Sequence, residues 1–164
     1  MRKLILLRHA KSSWKDASLE DFERPLNNCG KRDAPQMANI LLLKNIEVDL
    51  IISSDTRRTK DTAKIFANIL AYNSEIVYDT ELYEASYDQI LKVINHTNNR
   101  YKNLLVVCHN PGITNLSNYL SNRFIDNIPT TGMVGFSFDG NWNDLQNHSC
   151  EILFFEYPKK YKPN

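Results

Sequence analysis

Two histidines and two arginines of this sequence lie just beyond short apolar runs. Arg8 and His9 follow the first run, Arg58 follows a second within six residues, and His109 follows a third. A neutral imidazole nitrogen can attack phosphorus as a nucleophile, and guanidinium groups form bidentate hydrogen bonds with phosphate oxygens. These side chains predict a site for phosphoryl chemistry if the fold brings them together.

The position of Arg58 indicates that this site binds an anion. The residues after 52 are typical of a helix start, which places Arg58 in the first helical turn. The helix dipole favours anions at that end and slightly disfavours a cation. A phosphate bound at the helix start would explain an arginine there, because the backbone N–H groups and the guanidinium would bind the same anion. Charge-assisted hydrogen bonds contribute roughly 1.5 to 3 kcal/mol each.

Apolar patterning predicts the elements that must position these residues. Three patterns with helical i, i+3, i+4, i+7 spacing begin at Ala34, Ala63 and Tyr87. A fourth helix is expected to begin at Asn110–Pro111, with Asn110 as N-cap and Pro111 at the first helical position. Between and after the helices, short apolar runs predict six strands, over residues 4–7, 49–52, 76–78, 104–107, 134–138 and 151–157.

Strands that alternate with helices indicate an α/β protein. We predict one domain over residues 1–164, a three-layer α/β/α sandwich around a mostly parallel sheet of about six strands. Ligands of open α/β sheets bind at the carboxyl ends of the strands. Arg8, His9, Arg58 and His109 would therefore share one edge of the sheet.

Composition excludes several other functions. The chain has twenty Lys and Arg residues and nineteen Asp and Glu residues, which gives a formal net charge of +1. This balance argues against a nucleic-acid-binding protein, since such binding needs a strong basic excess. The longest apolar runs are far below the roughly 18 residues of a membrane span, so we predict a cytoplasmic protein with no membrane contact. Neither a Gly-rich phosphate loop nor a metal-ligand spacing is present. We expect no metal and no cofactor.

Four segments, in order, resemble motifs of the histidine phosphatase superfamily, which has the phosphoglycerate mutase-like fold. They are Arg8-His9-Ala10, similar to its Arg-His-Gly signature; Pro25-Leu26 with Gly30; residues 53–63, similar to Ser-Ser-Pro-x-x-Arg-Ala-x-Gln-Thr-Ala; and residues 107–110, similar to its second-histidine motif. The third segment selects Arg58 rather than Arg57. Within the superfamily the chain most resembles the SixA-like phosphohistidine phosphatases. The resemblance lies in its short length and in residues 7–14, 82–85 and 109–112.

The resemblance implies a role for each matching residue. His9 would be the phosphorylated nucleophile, Arg8 and Arg58 phosphate ligands, and His109 the second histidine of the phosphate pocket. Glu84 falls where longer relatives have an acid/base carboxylate, although a solvent-facing glutamate at a helix start is an equal alternative. Residues after the signature imply substrate binding by Lys11, Ser12 and Lys15.

Two positions depart from the family pattern. Ala10 replaces the signature glycine, and its methyl group would crowd the approach of phosphate to the backbone. Lys15 stands where mutase-like members often have asparagine, which disfavours a sugar-phosphate mutase.

The resemblance and the chain length lead to one preferred function. We expect a metal-independent phosphatase acting on phosphohistidine of a protein, such as a histidine-phosphotransfer domain. The short chain leaves little for lid insertions, and an open pocket suits a protein substrate. The alternatives are a phosphomonoesterase or mutase with a small phosphorylated substrate, and a non-catalytic phosphate-binding module.

Overall fold

The computed structural model describes residues 1–162. These residues contain six strands that form one sheet. The strand order is β3-β2-β4-β1-β5-β6. The first four strands of this order are mutually parallel, and the last two are antiparallel to their neighbours. This arrangement confirms the predicted mostly parallel sheet. The strands are β1 Arg2–Arg8, β2 Leu50–Ser53, β3 Val77–Tyr78, β4 Asn103–Cys108, β5 Met133–Phe138 and β6 Glu151–Glu156.

Four helices cover the two faces of the sheet, which confirms the three-layer prediction. Because successive strand residues point to opposite faces, Leu4 and Leu6 of β1 join one buried cluster, and Ile5 and Leu7 join the other. The first cluster contains residues of α3 and α4, and the second contains residues of α1 and α2. The helices are α1 Asn28–Leu42, α2 Arg57–Ile69, α3 Tyr87–Asn95 and α4 Gly112–Leu120.

The first two helices begin at capping side chains on the edge of the sheet that carries the site. Asn27 Oδ1 accepts from Gly30 N at 2.8 Å at the start of α1. Thr56 Oγ1 accepts from Thr59 N at 3.3 Å at the start of α2. Each bond satisfies one of the unpaired N–H groups of the first helical turn. These caps fix where each helix begins and so where the loop before it runs.

The predicted start of the fourth helix was wrong by one residue. The helix α4 begins at Gly112 with Pro111 as its cap, and the Asn110–Pro111 peptide is cis. Asn110 is not an N-cap because its side chain has other partners. Its Oδ1 accepts from Thr114 Oγ1 at 2.7 Å, and its Nδ2 donates to Ile128 O at 3.0 Å. Asn110 therefore holds the loop before β5 against α4.

Short 3₁₀ helices connect several elements, and the sequence patterns did not predict them. They span Asp21–Glu23, Thr80–Leu82, Trp142–Asp144 and Pro158–Tyr161. The first of these helices contains Asp21, and the second is followed directly by Tyr83; both residues belong to the site described below. Among residues 1–162, no helix is long and apolar enough to cross a bilayer.

Candidate active site

The parallel strands bring the predicted residues to one edge of the sheet. In the register of β1 and β4, Arg8 pairs with Cys108, so His9 and His109 emerge side by side. His9 N also donates to Cys108 O at 3.2 Å. The two imidazole ring centroids are 5.2 Å apart. The structure therefore places the two histidines together, as the sequence predicted.

The ring of His9 is buried and held in one tautomer. Only 8% of the residue is exposed, and Nδ1 lies 2.7 Å from Ala10 O. Since a carbonyl oxygen only accepts, Nδ1 carries the hydrogen and Nε2 keeps a free lone pair. Burial, together with the nearby His109, Arg58 and Arg8, lowers the pKa of His9 to about 3. His9 is thus a neutral imidazole with a nucleophilic nitrogen at neutral pH.

His109 is also buried and neutral. Its Nε2 is 2.9 Å from Ser54 Oγ, just beyond the end of β2, and its ring packs edge-on against Tyr83 at a centroid distance of 5.7 Å. Burial and the guanidinium of Arg58 lower the pKa of His109 to about 4. Ser54 was not singled out from the sequence, although it lies in the segment that resembles the family motif.

Arg8 faces the site with part of its hydrogen-bonding capacity unused. One terminal nitrogen donates to Ile128 O at 3.0 Å, and its buried Nε has no partner among the described residues. Burial and the neighbouring positive charge of Arg58 lower the pKa of Arg8. Two guanidinium groups that repel each other in a buried setting favour an anion between them.

Arg58 is 6% exposed, whereas the neighbouring Arg57 is exposed to solvent. Nη1 of Arg58 donates to Asp21 O at 2.6 Å, and Nη2 donates to Asp21 Oδ2 at 2.9 Å. The preference of the motif for Arg58 over Arg57 therefore agrees with the burial of this side chain. The sequence did not predict that Asp21 binds both terminal nitrogens of Arg58, one through its backbone carbonyl and one through its carboxylate.

Asp21 connects three residues around the site. Besides Arg58, its carboxylate accepts from Arg24 Nη1 at 3.0 Å and from the Tyr83 hydroxyl at 2.8 Å. Burial tends to raise the pKa of Asp21, but the hydrogen bonds from Tyr83, Arg58 and Arg24 outweigh it and hold the pKa at about 2. Burial and the bond to this carboxylate raise the pKa of Tyr83 to about 12.

Besides Ser54, the sequence analysis missed three residues that surround the site: Asp21, Arg24 and Tyr83. Two of them have a signal in the sequence. Arg24 immediately precedes the Pro25-Leu26 motif, and Tyr83 precedes Glu84 in a segment that was compared with relatives. Asp21 lies in an unpatterned loop and has no such signal.

A surface cavity of about 610 Å³ opens over His9. Of the predicted substrate-binding residues, Lys11 and Lys15 are exposed on it, whereas Ser12 is buried and its Oγ accepts from Arg24 Nη2 at 2.6 Å. Every charged residue in the lining of this cavity is basic. The lining residues are Arg8, His9, Lys11, Ser12, Ser13, Trp14, Lys15, Arg24, Asn27, Arg58 and Thr130.

Glu84 lies outside the residues that line this cavity. The residue is exposed, has a positive φ of 54°, and its carboxylate makes no hydrogen bond with any residue between 1 and 162. Its charge is close enough to Tyr83 to contribute to the raised pKa of that phenol.

The loop after β1 is packed tightly against the start of α1. Lys11 O accepts from Asn27 N at 2.9 Å, and a Cβ atom at Gly30 would collide with that same carbonyl. Glycine is thus needed at position 30 for this close approach. The methyl group of Ala10 is fully buried against Leu26 and Ala34 and does not face the cavity.

Carboxylate, imidazole and thiol groups do not cluster as metal ligands in the described chain. No group of three or more His, Cys, Asp or Glu residues among residues 1–162 is arranged to hold a metal ion.

Comparison with known proteins gives matches along the whole chain. An uncharacterized chloroplast protein of Arabidopsis thaliana is 52% identical over 63 residues, which are 38% of this chain and only 29% of that protein. An uncharacterized protein of Mycobacterium tuberculosis is 26% identical over 166 residues, covering 93% of this chain and all of that protein. A protein of Nakamurella multipartita of known structure, provisionally named phosphohistidine phosphatase SixA, has 25% identity and a TM-score of 0.83 over 96% of both chains.

A family model agrees with these matches. The model of the histidine phosphatase superfamily, branch 1, matches residues 4–93, more than half of the 164 residues, and this range contains His9, Arg58 and most of β1. Over 96% of this chain the fold is also similar to that of the SixA-named structure, with a TM-score of 0.83. On this evidence the chain belongs to branch 1 of the histidine phosphatase superfamily.

Proposed function

We propose that this protein is a metal-independent phosphatase that removes a phosphoryl group from phosphohistidine of a protein, through a covalent intermediate on His9. The observation that carries the proposal is the neutral, oriented imidazole of His9, 5.2 Å from the ring of His109 and beside the guanidinium groups of Arg8 and Arg58. A binding module would need the positive charges but not a nucleophilic nitrogen.

The first step transfers the phosphoryl group to His9. The lone pair of Nε2 forms the new P–N bond while the P–N bond of the substrate phosphohistidine breaks, and its electron pair returns to the departing ring. A substrate ring that carries a second proton leaves as neutral imidazole. Arg8, Arg58 and His109 stabilise the charge on the phosphoryl oxygens. The hydrogen on His9 Nδ1 stays on that nitrogen throughout and donates to Ala10 O.

The second step returns His9 to its starting state. A water oxygen attacks the phosphorus, the P–Nε2 bond breaks, and its electron pair goes back to the His9 ring. The water gives one proton to solvent, and inorganic phosphate leaves. Because the Nδ1 hydrogen remains in place, the phosphorylated ring is cationic. When the P–N bond breaks, this ring leaves as neutral imidazole, which is a good leaving group.

Two features support a protein phosphohistidine as the substrate. The cavity lies at the surface, and Trp14 on its wall is 76% exposed, which leaves room for a large partner. Glu84 is outside the cavity lining. A departing imidazole needs less acid assistance than an alkoxide, so the reaction does not require that carboxylate. The SixA named among the similar structures gives the same substrate class.

The test is to trap the phosphoryl group on His9. The protein is mixed with a phosphohistidine peptide, quenched in base and mapped, since phosphohistidine is stable in base and labile in acid. We expect the adduct on His9, no turnover in His9→Ala, and full turnover in His96→Ala, which removes an exposed histidine at the end of α3. Turnover by His9→Ala would contradict the covalent step.

Parallel measurements separate the alternatives. Faster turnover of p-nitrophenyl phosphate or a sugar phosphate than of the phosphohistidine peptide would favour a small-molecule phosphomonoesterase, and phosphate exchange between sugar positions would favour a mutase. A chelator should leave the rate unchanged, and vanadate should inhibit.

A further inference from the structure

A second, smaller cavity of about 270 Å³ adjoins the catalytic one. Lys11 and Thr130 line both cavities, so the two cavities lie next to each other and share these residues as a wall. We call the smaller cavity the basic side pocket and define it by the lysines Lys11, Lys159 and Lys162. Neither the family motifs nor the proposed phosphoryl transfer gives this pocket a role.

The basic side pocket carries an uncompensated positive charge. Asp33 is the one carboxylate among the residues that line it in the described chain, and this carboxylate is buried and paired with Lys162 at 3.1 Å. Lys11 and Lys159 have no ion-pair partner within residues 1–162. Lys11 therefore brings an unpaired ammonium group to both cavities, and Lys159 brings a second one to the basic side pocket.

The pocket also has a defined position relative to the reacting group. The 3₁₀ helix Pro158–Tyr161 follows β6 and presents Lys159, while the Lys162 to Asp33 ion pair ties this segment to α1. Lys11 lies two residues after His9 and faces both cavities. A ligand whose phosphoryl group is at His9 would thus place its neighbouring residues near Lys11, at the wall shared with the basic side pocket.

We infer that the basic side pocket binds carboxylate side chains next to the phosphohistidine, so that the preferred partner is a protein with an acidic surface around its phosphorylated residue. This inference rests on the proposed function and adds the electrostatic character of its substrate. Charge complementarity at the edge of an interface favours encounter with the correct partner and is weakened by salt.

The experiment compares three peptides that differ only in the residues around a phosphohistidine: three aspartates on its N-terminal side, three aspartates on its C-terminal side, or asparagines on both sides. Hydrolysis gives kcat/KM for each peptide. Binding is measured with the same peptides carrying a non-hydrolysable phosphonate analogue. We expect one aspartate peptide to bind about three- to tenfold more tightly than the asparagine peptide and to have the larger kcat/KM.

Variants locate the effect. Lys159→Glu should abolish the preference for aspartate in binding and in kcat/KM, while turnover of the asparagine peptide stays unchanged. Lys64→Glu makes the same charge change at an exposed position of α2 that lines neither cavity, and it should keep the preference. Raising the salt from about 0.05 to 0.5 M should reduce the preference, because the Debye length shortens.

The outcomes separate this inference from the proposed function. Equal binding of all three phosphonate peptides, or an undiminished aspartate preference in Lys159→Glu, would overturn the inference even where hydrolysis at His9 proceeds. Absence of hydrolysis of every phosphohistidine peptide would overturn the proposed function, and the binding measurements would still decide whether the basic side pocket prefers carboxylates.

Discussion

Arg58 Nη2 and Asp21 Oδ2 are 2.9 Å apart, and the backbone carbonyl of the same aspartate binds Arg58 Nη1 at 2.6 Å. One residue of a short 3₁₀ helix thus holds both terminal nitrogens of the arginine that the proposed mechanism uses on phosphate. Tyr83 and Arg24 fix the aspartate in turn. Asp21 is therefore a positioning residue, because it orients the guanidinium without contacting the phosphoryl group in the proposed reaction.

Asp21→Asn should lower kcat about tenfold and weaken tungstate binding, because Arg58 loses the carboxylate that fixes it, and small displacements of a catalytic group cost rate. Steady-state kinetics and a tungstate titration measure the two effects. Glu23→Gln, a matched change on the same 3₁₀ helix, should alter neither. A loss of thermal stability with unchanged tungstate affinity would show that Asp21 serves the fold rather than Arg58.

Arg58→Lys should reduce kcat on the order of a hundredfold, as expected for the loss of one preorganised donor in the transition state. Lysine keeps the charge but not the planar fork. Arg57→Lys is the control, because that neighbour is exposed and lines no part of the cavity. Similar rates for the two variants would mean that the motif register does not identify the phosphate ligand.

The contrast between Arg57 and Arg58 shows how far sequence reasoning extended. Strand runs placed β1, β2 and β4 within two residues of their observed ends, and the signals of a helix start put Arg58 in the first turn of α2. Because ligands of open α/β sheets bind at the carboxyl ends of the strands, the prediction brought His9, His109, Arg8 and Arg58 to one edge of the sheet. These features follow from periodic burial and from a short sequence motif, and a single sequence contains both.

The remaining features depend on contacts between distant loops. Asp21 meets Arg58 and Tyr83 across 37 and 62 residues, and no local pattern encodes such pairs. The start of α4 was wrong for a related reason, since Asn110 bonds to Ile128 instead of capping the helix. Capping propensity is local, and the tertiary contact overrode it.

Stability should fall as the pH drops from 7 to 4. The folded-state pKa values of His9 and His109 are lowered to about 3 and about 4 from 6.5. Between these values and 6.5 the unfolded chain binds protons at both rings and the folded chain does not. The free energy of unfolding therefore decreases as the pH falls through this range.

Denaturant titrations at pH 7, 6, 5 and 4 in phosphate-free buffer test this linkage. One imidazole that stays neutral in the folded state makes the free energy of unfolding fall by at most about 1.4 kcal/mol per pH unit below pH 6. The free energy of unfolding of His9→Asn should therefore fall less steeply with decreasing pH than that of the parent protein, by up to this amount per pH unit. His96→Asn, at an exposed position, serves as control. Equal slopes for His9→Asn and the parent would contradict a neutral buried His9.

Ala10 was expected to crowd phosphate because it replaces the signature glycine, but its methyl group contacts Leu26 and Ala34, away from the cavity. The φ angle of Ala10 is not positive, and its N–H donates to Thr62 Oγ1 at 2.9 Å. Alanine therefore fits the backbone here without strain. Ala10→Gly should lower the free energy of unfolding by about 1 kcal/mol, through lost packing and a more flexible unfolded chain, and leave vanadate inhibition unchanged. Urea unfolding and a vanadate titration measure the two quantities, and tighter vanadate inhibition in Ala10→Gly would mean that the methyl group does obstruct the anion.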